Sequence, residues 1–160
     1  MEIQGARESW TMRFFCPRCW NDFPNDLPAC PSCGLDIPDF WRGKDYAAKL
    51  IAALCHPDTE TVMRAATILG DLHEKTAVDG LIELAKTTSN VYVASAAVDA
   101  LGKIGTPQAC AYLAGVARSH PAGMVRDAAR CWVKLEGENG PCPDRRPAAT
   151  SVSGEKAGKR

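Results

Sequence analysis

Four cysteines near the start of the chain stand in two matching groups, CPRC at 16–19 and CPSC at 30–33, with ten residues between the groups. Two residues between cysteines let one tight turn aim both sulfurs at a single ion, and the N–H groups of that turn point at the thiolates and hold their charge. Two such turns facing each other make a tetrahedral set of four sulfurs from Cys16, Cys19, Cys30 and Cys33, which suits Zn2+; iron takes the same ligands. All four positions are cysteine, so none is left for water, and the expected role is one structural zinc ion with no catalysis at the metal. Pro17 and Pro31 stiffen the two turns, and Gly34 directly after the second pair suits the positive φ such a turn needs. Trp20 stands at the matching place after the first pair.

The other uses of paired cysteines fit less well. A thioredoxin-type redox site expects one C-x-x-C between a strand and a helix, whereas here there are two pairs. The opening MEIQGARESWTMRFF has no apolar run of secretory type, and no stretch reaches the roughly 20 apolar residues of a membrane span. The sequence thus predicts a cytoplasmic protein without membrane attachment, where disulfides are disfavoured and metal binding is favoured.

From Phe14 to Ile37 the segment resembles the small zinc ribbons written C-P-x-C-G…C-P-x-C-G, found at the ends of many bacterial proteins. The ten-residue spacer agrees with that family, and Trp20 departs from its usual glycine. The resemblance implies a module too small to hold a core without its ion, so that its folding free energy is largely metal binding.

The elements after Trp41 have a different character. From Lys44 to Glu136 the chain repeats with a period of about 32 residues, ALGKIGTPQACAYLAGVA (100–117) lying over ILGDLHEKTAVDGLIELA (68–85). Leu101 and Gly102 fall on Leu69 and Gly70, Ala109 and Leu113 on Ala77 and Leu81, and Val125 and Ala129 on Val93 and Ala97. Each unit reads as two helices, the first at about 44–55, 75–87 and 107–118, the second at about 59–71, 91–104 and 122–135. Thr106 before Pro107 is a helix start, and Gly105 ends the helix before it. CHPD (55–58), TTSN (87–90) and SHPA (119–122) occupy the same turn of successive units, and the alignment leaves the first unit one residue short between Val62 and Gly70. VYVASAAVDALGKIGTPQA and VRDAARCWVKL resemble HEAT-like repeats, of the short alanine-rich type seen in phycobilisome lyase-like proteins. Ala94 stands where that family often has arginine.

The expected fold is therefore mostly α: a zinc ribbon with an N-terminal extension (1–42), a three-unit HEAT-like α-α solenoid (43–137) and a disordered tail (138–160) low in large apolar residues. Solenoid ends expose apolar faces, and the expectation is that the ribbon docks on the first unit, with Phe40, Trp41, Tyr46 and Trp20 at the joint. Cys55, Cys110 and Cys131 are expected as small buried apolar side chains, and Cys142 in the tail as a free thiol. His56 and His120 recur at one turn position and are read as structural; the single His73-Glu74 pair lacks the companions a diiron site needs.

Stacked helix pairs present an extended surface that holds other proteins. The leading expectation is a non-enzymatic adaptor or accessory subunit with a protein partner. Arg64, Tyr92, Asp99, Arg126 and Arg130, with Lys134, are the candidate contacts along an inner groove. Nucleic-acid or ribosome association is the alternative. Against it, 19 basic residues balance 19 acidic ones, and only residues 138–160 lean basic. A lyase-like enzyme is the third reading, but no phosphate loop, nucleophile elbow or paired catalytic carboxylates occur.

Overall fold

The computed structural model describes residues 13–133. The tail expected at 138–160, with Cys142, and Lys134 of the groove lie outside the described residues. The cysteine-rich segment opens with a two-stranded antiparallel ribbon, β1 (Phe14–Phe15) on β2 (Asp22–Phe23), in the register Phe14 to Phe23 and Phe15 to Asp22. Its small core is Cys16, Phe23 and Cys30, all buried. A short helix, α1 (Ile37–Trp41), leads out, capped by the Asp36 carboxylate on the Asp39 N–H at 2.8 Å.

Six longer helices follow as three pairs: α2 (Tyr46–Ala53) with α3 (Thr59–Asp71), α4 (Val78–Thr87) with α5 (Val91–Ile104), and α6 (Pro107–Ser119) with α7 (Gly123–Trp132). A 3-10 turn, Lys75–Ala77, precedes α4. Local chemistry sets the boundaries. Asp58 caps α3 through the Thr61 N–H, Asn90 caps α5 through the Tyr92 N–H, and the Thr106 hydroxyl caps α6 with Pro107 in its first turn. Gly105 closes α5 at φ 65°.

The repeat is written into the packing. Leu69 and Leu101, Leu81 and Leu113, Ala77 and Ala109, and Ala97 and Ala129 are all buried in one continuous core. The second helices of the pairs lie side by side, α3 on α5 and α5 on α7. The residues that cap α3, α5 and α7 are Asp58, Asn90 and Ala122, evenly spaced in the chain. The first unit is therefore not one residue short between Val62 and Gly70. Position for position, Val62 matches Ala94 and both are buried.

Close approach between these helices needs glycine. A Cβ on Gly70 would lie 2.8 Å from the Ala100 Cα, and one on Gly102 would fall inside the Trp132 indole. The Leu-Gly pair of the first two units thus has two jobs, leucine filling the core and glycine admitting the next helix.

Two further features differ from expectation. Cys55, Cys110 and Cys131 are exposed, not buried. Alanine lies on more than one face of these helices, so an Ala-rich neighbourhood does not mark the core. The aromatic joint also differs. Phe40 and Trp41 pair edge to face with each other at 4.9 Å, the Lys44 ammonium sits 4.1 Å above the Phe40 ring, and Tyr46 is 60% exposed. Among the described residues, the ring contacts that cross from ribbon to helices are Phe15 and Trp20 against His56, at 4.5 and 5.2 Å.

Two similar substitutions should act in opposite directions. Gly70→Ala forces α3 and α5 apart and should cost about 1–3 kcal/mol. Gly115→Ala, in open space on α6, should stabilise by about 0.5–1 kcal/mol through helix propensity. Thermal unfolding of the two variants checks the pair; equal shifts would contradict the close-approach account.

Candidate metal centre

The two cysteine turns are built alike. The Trp20 N–H donates to Cys16 O at 2.9 Å and the Cys16 N–H to Asn21 O at 3.0 Å; the Gly34 N–H donates to Cys30 O and the Cys30 N–H to Leu35 O, both at 2.9 Å. Each turn closes on a residue of positive φ, Gly34 at 68° and Trp20 at 59°. Glycine accepts that conformation freely, whereas for a tryptophan it is strained by about 1–2 kcal/mol. Trp20 therefore adopts the glycine conformation at a cost, and its ring is set against His56.

The four sulfurs all lie within 4.8 Å of one another. Cys16 Sγ is 3.6 Å from Cys33 Sγ, and Cys19 Sγ is 3.7 Å from Cys30 Sγ. These separations exceed the roughly 2.05 Å of a disulfide. They match the edge of a tetrahedron with metal–sulfur bonds of about 2.3 Å, which is roughly 3.8 Å. The donor set thus fits one tetrahedral ion, and the geometry serves zinc and iron equally.

Backbone donors surround the sulfurs. The Arg18 N–H points at Cys16 Sγ at 3.4 Å, and the Asn21 and Leu35 N–H groups serve Cys19 and Cys33 in the same relation. Crowded thiols still cannot all ionise alone. Desolvation opposes the Cys30 thiolate, but the Cys33 and Ser32 N–H groups and neighbouring thiols bring its pKa down to about 6. At Cys33 the Leu35 N–H favours the thiolate, yet desolvation and the other three sulfurs prevail and push it up to about 12. The Asn21 N–H likewise favours the Cys19 thiolate, but desolvation and the Cys16 and Cys30 thiols raise its pKa. A divalent cation at the centre removes the conflict by neutralising the sulfurs together.

The five groove candidates occupy two different faces. Tyr92 is 65% exposed and shares its repeat position with the exposed Met124. Arg64 is paired with Glu60 and lines a shallow trough on α3 with Met63, Thr67 and Ile68. Asp99 accepts from Trp132 Nε1 at 3.0 Å. Arg126 and Arg130 stand elsewhere, at the repeat positions that hold Val62 and Ala66 in α3 and Ala94 and Val98 in α5, all four buried. A position covered in the first two units and open in the last faces the place of a next unit. Arg126 there donates to Pro121 O at 2.9 Å, and Arg130 pairs with Asp127 at 3.0 Å.

The histidines hold turns. His56 Nδ1 accepts the Asp58 N–H at 3.0 Å and His120 Nδ1 the Ala122 N–H at 3.2 Å, while Thr88 Oγ1 does the same for the Asn90 N–H at 3.2 Å in the middle unit. His73, at φ 51°, donates from Nδ1 to Lys103 O at 2.7 Å, joining two units. Trp20 is expected at the joint, but nothing in the sequence names His56 as its contact; the tryptophan at a glycine position is the available signal.

Metal uptake must compete with protons, so affinity falls as pH falls. Cys30, at about 6, has shed its proton at pH 7 and keeps it at pH 5, whereas Cys33, at about 12, surrenders one at either pH. Calorimetry in buffers of different ionisation heat should therefore find more protons released per ion at pH 5 than at pH 7. Equal release would contradict this ordering of the thiols.

The HEAT-repeat family profile matches residues 47–131, more than half of the 160-residue chain. No curated protein matches. No solved structure matches either. HEAT repeats commonly mediate contacts between proteins through their stacked surface. The matched span covers the helical pairs from within α2 to within α7 and leaves the four-cysteine segment outside. This protein belongs to the HEAT-repeat family.

Proposed function

We propose that this protein is a non-enzymatic protein-interaction module, an adaptor or accessory subunit of a larger assembly, whose N-terminal segment is a zinc ribbon holding one structural Zn2+. It works in the cytoplasm. The observation that carries the reading is the row of exposed apolar side chains on successive second helices. Tyr92 and Met124 stand at one repeat position, 65% and 42% exposed, and α3 carries a trough lined by Met63, Arg64, Thr67 and Ile68. Large side chains left in water at a repeated position cost solvation without serving the core, and a partner that covers them recovers it. The charges at the trough are mixed, with Glu60 against Arg64, which suits a protein surface better than a phosphate backbone.

A photoreactive phenylalanine analogue placed at Tyr92, at Met124, or at Glu83 on the exposed side of α4 tests the face in cells. The same protein adduct is expected from positions 92 and 124, and none from 83. Adducts of equal strength from all three, or none at all, would contradict the assignment. Adducts removed by nuclease would replace it with nucleic-acid association.

A further inference from the structure

The first pair of helices is the least self-sufficient. No residue within α2 is buried, and its anchorage is the buried Leu54 behind it with the half-buried Leu50, Ile51 and Ala53. The turn from α2 into α3 carries His56, whose Nδ1 accepts the N–H of Asp58, and Asp58 in turn caps α3 through the Thr61 N–H at 2.8 Å and hydroxyl at 2.7 Å. The other side of that imidazole belongs to the ribbon. Phe15 and Trp20 meet it edge to face at 4.5 and 5.2 Å.

Those two rings bracket the first cysteine turn. Phe15 directly precedes Cys16, and Trp20 directly follows Cys19. Trp20 also sits at φ 59°, a conformation the closed turn imposes. The position of both rings therefore depends on the turn, and the turn depends on whatever holds the four sulfurs together. The chain supplies its own control at His120, which makes the same turn bond, to Ala122, with no aromatic ring paired against it among the described residues.

We propose that the His56 turn is the joint through which metal occupancy of the four-cysteine site sets the stability of the first helix pair. The ribbon is then a removable end cap. With the ion in place, Phe15 and Trp20 clasp His56, and α2 and the start of α3 are held; with the ion removed, the rings lose their register and this end of the stack loosens first. The idea rests on the metal reading above, and its test separates the two.

Hydrogen exchange is measured on the full chain, zinc-loaded and chelator-stripped under reducing conditions, with cobalt substitution of the same sample to report thiolate coordination by its charge-transfer absorbance. Stripping should speed exchange in α2 and the first turns of α3 by about tenfold or more, and change α5 and α6 by less than about twofold. His56→Thr copies Thr88, keeping a turn acceptor and deleting the ring. It should bind cobalt normally, with α2 and α3 exchanging fast whether or not the metal is present. His120→Thr should respond to metal as the unaltered protein does. Normal cobalt binding with metal-insensitive α2 and α3 in the unaltered protein, or full sensitivity retained in His56→Thr, would overturn the joint and leave the metal site standing. No thiolate coordination in any variant would overturn both.

Discussion

Each helix pair in this protein can bury its apolar side only against the next pair, and that constraint shapes everything else. The middle pair has neighbours on both sides, so Ala94, Ala97, Val98 and Leu101 of α5 are nearly inaccessible. The outer pairs each lack one neighbour. Three units are close to the minimum that such a stack tolerates, and the ends must be finished by other means. The two ends are finished differently. At the last unit, Arg126 and Arg130 stand where the other units bury valine and alanine. At the first unit, the cysteine segment lays two aromatic rings on a turn.

The two modules draw stability from different sources. In the helices it comes from packing: a fully buried leucine such as Leu69, Leu81, Leu101 or Leu113 contributes about 1.5–3 kcal/mol, and glycine and alanine let the backbones approach. Polar ties between units add register: Lys103 to Asp71 at 2.6 Å, Gln108 to Asp79 at 2.6 Å and His73 to the Lys103 carbonyl. In the cysteine segment the core is one phenylalanine and two cysteines, far too little to order the chain. Its order has to come from the sulfurs, and four crowded thiols favour an ion over their own protons only once they act together.

Much of this was legible in the sequence because it is local or periodic. The spacing of the cysteines announces the tetrahedral set, and Thr106, Pro107 and Gly105 announce a helix end and a helix start in three letters. The period placed Leu69, Leu81, Leu101 and Leu113 in the core. What escaped was long-range or depended on facing. Nothing near Trp20 in the sequence says that its ring meets His56. Cys110 and Cys131 sit among alanines, and only the packing shows which alanines face inward. Arg126 and Arg130 read as groove residues until their counterparts Ala94 and Val98 prove to be buried, which moves them to the end of the stack. The evenly spaced caps Asp58, Asn90 and Ala122 likewise restore a register that side-chain matching alone had shifted by one.

The order of the N-terminal segment depends on the four sulfurs holding an ion. Native mass spectrometry of the freshly purified full chain, weighed beside the same chain unfolded in acid, tests that most directly. The predicted result is one zinc per chain, with the bound ion replacing the protons of four thiols. A metal-free chain lighter by two or four hydrogens, as one or two disulfides would make it, would contradict the account, and so would a metal-free chain with all four thiols protonated.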